Sequence, residues 1–130
     1  MKKLDEEEHK LLTLWAADCA EHVLSLFELK HPDDERSRKA IEAARAWVLG
    51  ELTTIRAREA AFAAHAAARD AINTESIAAA RSAGHAAATA HVSDHAKYAA
   101  AYAIKASSDP KAEREWQLQK LPANIKSMIT

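Results

Sequence analysis

The chain has few residues that interrupt helices. Only two glycines and three prolines occur in 130 residues, and these residue types mark most turns and breaks in proteins. Alanine, the strongest helix former, makes up about a quarter of the chain. The sequence therefore predicts an all-α fold. We expect a single domain over residues 1–130, a helical bundle of about five to seven helices with alanine-rich interfaces.

The chain also lacks a second cysteine and an excess of either charge. The single Cys19 excludes an intrachain disulfide framework and is typical of a reducing cytoplasm. The formal net charge of −1 gives no electrostatic reason to expect a nucleic-acid partner. No apolar run is long enough to span a membrane, and the acidic N-terminal stretch does not resemble a signal peptide. We therefore expect a cytoplasmic protein that binds neither nucleic acid nor a membrane.

Capping residues and prolines divide the chain into helices. Asp5 followed by Glu8 is the pattern of a capping box, and Asp109 before Pro110 is typical of an N-cap followed by a proline in the first turn. Gly50 is a C-terminal stop signal. The predicted helices cover residues 5–29, 33–49, 53–71, 74–107 and 109–120.

The fourth predicted helix is too long for a compact domain. An unbroken helix of about 34 residues extends roughly 50 Å, whereas a domain of this size has a radius of gyration of about 14 Å. We expect a break at residues 91–93, with Ser93 capping the next helix. A kink near Gly84 is the alternative.

Seven histidines stand out against this apolar background. With 3.6 residues per turn, His22 falls on the apolar face of the first helix. His65 and Arg69 fall on a stripe of large apolar residues in the third, and His91 and His95 align with two tyrosines. The pattern predicts imidazoles on the bulky, inward faces of the helices.

Three interpretations of the polar residues remain open. The histidines are hydrogen-bonded polar contacts in the core, or they bind a metal, because His91 and His95 share one helical face. In the third interpretation they line a pocket or a partner-facing groove together with Lys105 and two arginines. The candidate polar cluster consists of Asp18, His22, Arg45, His65, Arg69, His85, His91 and His95.

The metal alternative uses four of these residues, His22, His65, His91 and His95. No other cofactor is indicated, and no catalytic residue is assigned, because the chain has no glycine-rich phosphate loop, no CxxC pair and no serine elbow. Cys19 and His22 lie one helical turn apart, so a Cys–His pair stays open as an alternative.

Several segments together resemble a known family over nearly the whole chain. They are "WAADCAEHVLSLFE" (15–28), "RKAIEAARAWVLGE" (38–51), "AAFAAHAAARDA" (60–71), "AGHAAATAHVSDHAKYAAAYAIKA" (83–106) and "EREWQLQKLP" (113–122). The chain resembles the small all-helical immunity proteins of bacterial polymorphic-toxin systems, of the immunity family five-like type. These carry Trp-Ala-x-Asp-Cys-Ala-x-His and Gly-His-Ala-Ala-Ala-x-Ala-His signatures. The signature positions here are Trp15, Asp18, Cys19, His22, Arg45, Trp47, His65, Arg69, Gly84, His85, His91 and His95.

The resemblance implies a cytoplasmic antidote that binds and neutralises a cognate toxin. Our first hypothesis is a non-enzymatic protein that contacts a basic toxin through an acidic edge at residues 6–8 or 33–35, where complementary charge speeds association. The alternative hypothesis is a metal- or small-ligand-binding bundle, a possible hydrolase, that uses the His/Asp cluster. A homodimer is also possible, because alanine-rich faces allow close helix contact.

Overall fold

A computed structural model describes residues 4–126 as a bundle of helices with no strand in that range. Six helices have 11 to 18 residues; one single-turn segment follows the first of them and another follows the last. The all-α prediction is confirmed. The elements are α1 (Glu6–Val23), α2 (Ser25–Glu28), α3 (Arg36–Val48), α4 (Thr54–Asp70), α5 (Thr74–Ala88), α6 (His95–Ala106), α7 (Pro110–Lys120) and a 3₁₀ turn (Ala123–Ile125).

Side-chain caps begin most of these helices, because the first backbone N–H groups of a helix have no partner within it. Asp5 accepts from the Glu8 N–H, and Glu8 accepts from the Asp5 N–H, which completes the expected capping box. Asp109 accepts from the backbone N–H of Ala112. Gly50 adopts a φ of 76° just after α3, a conformation that L side chains rarely adopt.

Three predicted boundaries were wrong, and one of them is the start of α3, which begins at Arg36 instead of residue 33. The first helix ends at Val23 instead of residue 29, because the N–H of Leu24 turns to the Glu21 carbonyl and a separate turn, α2, follows. The break in the fourth region covers residues 89–94 and is therefore longer than predicted. Asp94, not Ser93, precedes α6, and it makes no side-chain cap hydrogen bond.

Helix α5 lies at the centre of the bundle. It packs between α4 and α6 and also contacts α1, α2 and α3. Its buried residues are all alanine, serine or glycine, which lets neighbouring backbones approach closely. The large buried side chains come from other elements and include Trp15, Phe27, Ile41 and Ile125.

The buried polar contacts between helices come from serine, tryptophan and glutamine, not from histidine. Ser76 donates to the Leu26 carbonyl and Ser82 donates to the Ala99 carbonyl. Two further bonds tie α7 to α1 and α6: the Trp15 indole N–H donates to the Gln117 carbonyl, and the Gln117 amide donates to the Ala100 carbonyl. None of the seven histidines is fully buried. The histidines lie at the edge of the core, where several of them bond to side chains of neighbouring helices.

Candidate functional site

Helix α4 turns its alanines inward and its large apolar residues outward. Ala61, Ala64 and Ala68 are buried, whereas Ile55 is 74% exposed and Phe62 is 59% exposed. The prediction that the bulky stripe of this helix faces the core was wrong, because the facing surfaces of α3 and α5 are also lined with alanine and leave no room for larger side chains. The stripe with His65 therefore reaches the surface.

His65 lies flat against the backbone of α5 because residue 84 is glycine. A Cβ at Gly84 would come within 2.7 Å of the Cε1 and Nε2 atoms of the His65 ring, well inside van der Waals contact. The Arg81 guanidinium donates to His65 Nδ1 at 2.9 Å. The pair Gly84 and Arg81 thus positions the ring and makes Nδ1 the acceptor.

Two more imidazoles continue from His65 across α5 to α6. The rings of His65 and His85 meet edge to face with centroids 4.8 Å apart. The Nδ1 atoms of His85 and His95 are 2.9 Å apart, so that one ring donates to the other. Tyr102 stacks on His85 with an interplanar angle of 8°, and Tyr98 contacts both His85 and His95.

Burial keeps these imidazoles in the neutral form. The pKa values of His65 and His85 are lowered to about 4, chiefly by desolvation. Arg81 is the next cause for His65, and the neighbouring His65 and His95 are the next causes for His85. The pKa of His95 is also lowered, first by desolvation and then by His91, while Asp94 acts in the opposite direction. At neutral pH the rings can each donate and accept one hydrogen bond.

We call this surface the histidine–aromatic face and define it by its rings. Phe62 and His65 come from α4, His85 comes from the middle helix α5, and the others come from α6. Cations lie over three of the aromatic rings: Arg58 over Phe62, Lys97 over Tyr98 and Lys105 over Tyr102, at 5.4 to 5.9 Å from the ring centroids. The face consists of Phe62, His65, His85, His95, Tyr98 and Tyr102.

The remaining candidate residues of the first signature form a second polar group at the contact between α1, α3 and α7. His22 stacks on Trp116 with ring centroids 3.6 Å apart, and its Nδ1 lies 2.8 Å from the Glu113 carboxylate. Arg45 bonds to Asp18 and Glu21 across α1 and α3. These contacts join helices at the rim of the bundle.

The prediction that His22 lies on the inward face was wrong. Its side chain is 40% exposed, whereas the Glu113 side chain beside it is 6% exposed. Cys19 is fully buried, and desolvation raises the pKa of its thiol. A thiol held in the neutral form is a poor nucleophile, and His22 bonds to Glu113. The geometry gives no support to a Cys–His pair.

The four histidines of the metal alternative do not converge. Within residues 4–126 no group of three His, Cys, Asp or Glu side chains is arranged to hold a metal ion. His22 contacts Trp116 on α7, and His65 contacts His85 on α5, whereas His91 is exposed in the segment before α6. His95 bonds to His85, which is not one of the four. Arg69, the last member of the cluster, is exposed on α4.

Sequence reasoning missed two residues that build these groups. Arg81 bonds to His65 on the histidine–aromatic face and was not predicted, whereas Phe62 and Tyr98 were already placed on the same stripes as the histidines. Glu113 was not predicted either, because its contact with His22 joins residues 91 positions apart in the sequence.

Comparison with known proteins identifies the family. A family model described as "Imm-5 like putative immunity protein" matches residues 2–124, so the chain belongs to this family, as its signatures predicted. No curated protein and no solved structure matches the chain. Among the helices in the described part of the chain, none has the length and apolar character needed to cross a membrane.

Proposed function

We propose that this chain is an immunity protein that binds a cognate bacterial toxin and neutralises it without a chemical step of its own. Membership of the Imm-5-like family supports the immunity role. The observation that carries the binding mechanism is the outward display of large side chains on a bundle whose interior is filled by alanine. Ile55, Phe62 and Tyr98 are all exposed, and exposed apolar patches commonly mark contact surfaces.

The alternative of a metal-dependent hydrolase has less support. Catalytic zinc sites use three protein ligands and an open position, and no such trio occurs among residues 4–126. Inhibition by binding needs only a surface that fits the toxin. In this proposal the protein acts in the cytoplasm of the producing cell, where it binds the toxin and blocks its activity.

Co-expression with the toxin encoded beside its gene tests this proposal. We expect the chain to restore growth of cells that make the toxin and to co-purify with it as a stoichiometric complex. Incubation with EDTA before native mass spectrometry should leave both the complex and the mass of the free chain unchanged. Protection without any complex, or protection that EDTA abolishes, would overturn the proposal in favour of an enzymatic antidote.

A further inference from the structure

We propose that the histidine–aromatic face is the surface that contacts the toxin, and that it fits an acidic patch on the toxin protein. This inference rests on the proposed function and specifies where and with what chemistry the protein binds. The acidic edge at residues 6–8 or 33–35, expected from the sequence to meet a basic toxin, is the competing surface.

The side chains on this face are those that dominate protein–protein contacts. Aromatic residues and arginine are enriched in the cores of interfaces and among the residues that contribute most to affinity. Phe62 is 59% exposed and Tyr98 is 45% exposed, and each has a cationic side chain over its ring. Burial of these rings against a partner would remove a large apolar area from water.

The charge of the face is of one sign, although the whole chain carries a formal net charge of −1. Three helical stripes form it, at residues 55, 58, 62, 65 and 69 of α4, 74, 77, 81, 85 and 88 of α5, and 95, 98, 102 and 105 of α6. These fourteen positions include three arginines and a lysine and no carboxylate. Since the imidazoles are neutral at neutral pH, the guanidinium and ammonium groups give the face a positive electrostatic potential.

The carboxylates of the same helices are turned elsewhere or lie at the ends of the face. Glu59 bonds to Arg56 on the side of α4 that faces α3. Asp70 bonds to Arg36, the first residue of α3. Glu75 belongs to the first turn of α5 and Asp94 to the residue before α6. A partner with carboxylates on its surface would thus meet cations here, which favours both fast association and the correct orientation.

The face is also ordered before any partner binds. Arg81 fixes His65, His95 bonds to His85, and Tyr102 stacks on His85. Side chains that are already held in place lose less conformational entropy on binding. Neutral imidazole edges can donate to acceptors on the partner without the cost of burying a charge.

Several carboxylates of the acidic edge already have partners within the chain, whereas Asp33 and Glu35 are exposed. Glu6 and Glu7 approach the Lys10 ammonium at 3.4 and 4.0 Å, and Glu8 is buried in the capping box. Asp34 accepts from both the backbone and the guanidinium of Arg36. These groups lie at the starts of α1 and α3.

Binding measurements with matched surface variants test the proposal. The aromatic variant Phe62→Ala with Tyr98→Ala should weaken binding of the purified toxin by at least 30-fold. The charge variant Arg69→Glu with Lys105→Glu reverses two cations of the stripes and should weaken it by 10- to 100-fold, and by more at low salt than at high salt. Lys111 is exposed on α7, away from the face. The control variant Lys111→Glu makes the same kind of charge change there, and its affinity for the toxin should stay within threefold of that of the wild type. Circular dichroism and thermal unfolding confirm that each variant is folded.

The outcomes separate this inference from the proposed function. Normal binding by both face variants, with loss of binding in Glu6→Lys with Glu7→Lys, would show that the acidic edge is the contact and would overturn the inference alone. If the face variants change only the oligomeric state measured by light scattering, the face binds a second copy of this chain, and the inference also fails. Failure of the unmodified chain to bind the toxin would instead overturn the proposed function.

Discussion

Helix α1 turns its large apolar side chains inward, whereas α4 turns its large apolar side chains outward and buries alanines. On α1, Leu12, Trp15 and Val23 are buried; on α4, Ile55 and Phe62 are exposed. Both helices are amphipathic by sequence, so hydrophobicity does not explain the difference. The neighbours of each helix explain it.

The space left by neighbouring helices decides which face is buried. Helix α4 packs against α3 and α5, whose buried residues are alanine, serine and glycine together with Ile41. Close contact of these surfaces buries most of the backbone area but excludes bulky residues, because protein interiors are filled to near-crystalline density. Large side chains on such a helix are left at the surface, where a partner can contact them. An alanine-rich helix can therefore bury its less hydrophobic face.

Truncation of one large residue on each helix should give the largest difference in the free energy of unfolding. Trp15→Ala removes a buried ring and leaves the Gln117 carbonyl without its indole donor, so we expect a loss of about 3–5 kcal/mol in the free energy of unfolding. Phe62→Ala should change it by no more than about 0.5 kcal/mol. Urea denaturation of both variants measures the difference. Equal losses would show that Phe62 packs in the core and that α4 is oriented otherwise.

Enlargement of an alanine should have the next largest effect. Ala64→Leu adds volume where α4 has no free space, and overpacking of this kind costs about 1–3 kcal/mol. Ala101→Leu makes the same change at an exposed position of α6 and should be nearly neutral. Thermal unfolding of the pair tests the tight alanine interface directly, and a stable Ala64→Leu variant would show that the interface has unfilled space.

Acid should weaken the histidine–aromatic face, because its buried imidazoles take up protons. The folded pKa values of His65 and His85 are about 4, below the ordinary value of about 6.5, so the unfolded chain takes up protons first as the pH falls. Stability from these neutral rings is complete above pH 6.5 and is lost between about pH 6.5 and 4. We expect a combined loss of about 1–2 kcal/mol after allowance for partial exposure.

Urea denaturation at pH 7.5, 5.5 and 4.5 measures this loss. The variant His65→Gln with His85→Gln retains polar side chains but cannot titrate in this range, and its stability should fall less steeply with pH than that of the wild type. If the free energy of unfolding falls equally steeply with pH in the two proteins, the acid sensitivity comes from the carboxylates.

The smallest expected effect on stability comes from Gly84→Ala. The new methyl group would displace the His65 ring, whereas alanine in place of glycine favours a helix by about 1 kcal/mol. We expect the two effects to cancel to within about 0.5 kcal/mol. The His65 ring signals in NMR spectra should nevertheless move, because the ring leaves Arg81 and His85.

A double variant sharpens this result. In a His65→Ala background, Gly84→Ala meets no ring and should add about 0.5–1 kcal/mol of stability. A loss in that background would mean that a group other than His65 requires the glycine.

The sequence was sufficient for the helices and for the family, and insufficient for the face that each helix buries. Caps such as Asp5 and Asp109 act locally, and each begins a helix where it was expected. Helical periodicity correctly grouped the large residues of α4 into one stripe but assigned that stripe to the core. When small residues form the opposite face, the direction depends on the neighbouring helices, which a single sequence does not reveal.

The candidate polar cluster shows the same limit at the level of single residues. His85 and His95 were named together and do meet, because only a short segment separates their helices. His22 was grouped with them by residue type, yet its partners are Glu113 and Trp116, supplied by a helix at the far end of the chain. Residue type indicated that polar groups would pair, and the tertiary fold determined which ones.

Cys19 makes the molecule well suited to chemical mapping. It is the only sulfhydryl in the chain, it is completely enclosed, and its raised pKa keeps it in the unreactive protonated form. A cysteine introduced at Tyr98 or Lys111 would be the sole site that a maleimide label could reach in the native protein. Cys19 itself would react only during global opening, so that the same reagent reports both where a partner sits and how often the bundle unfolds.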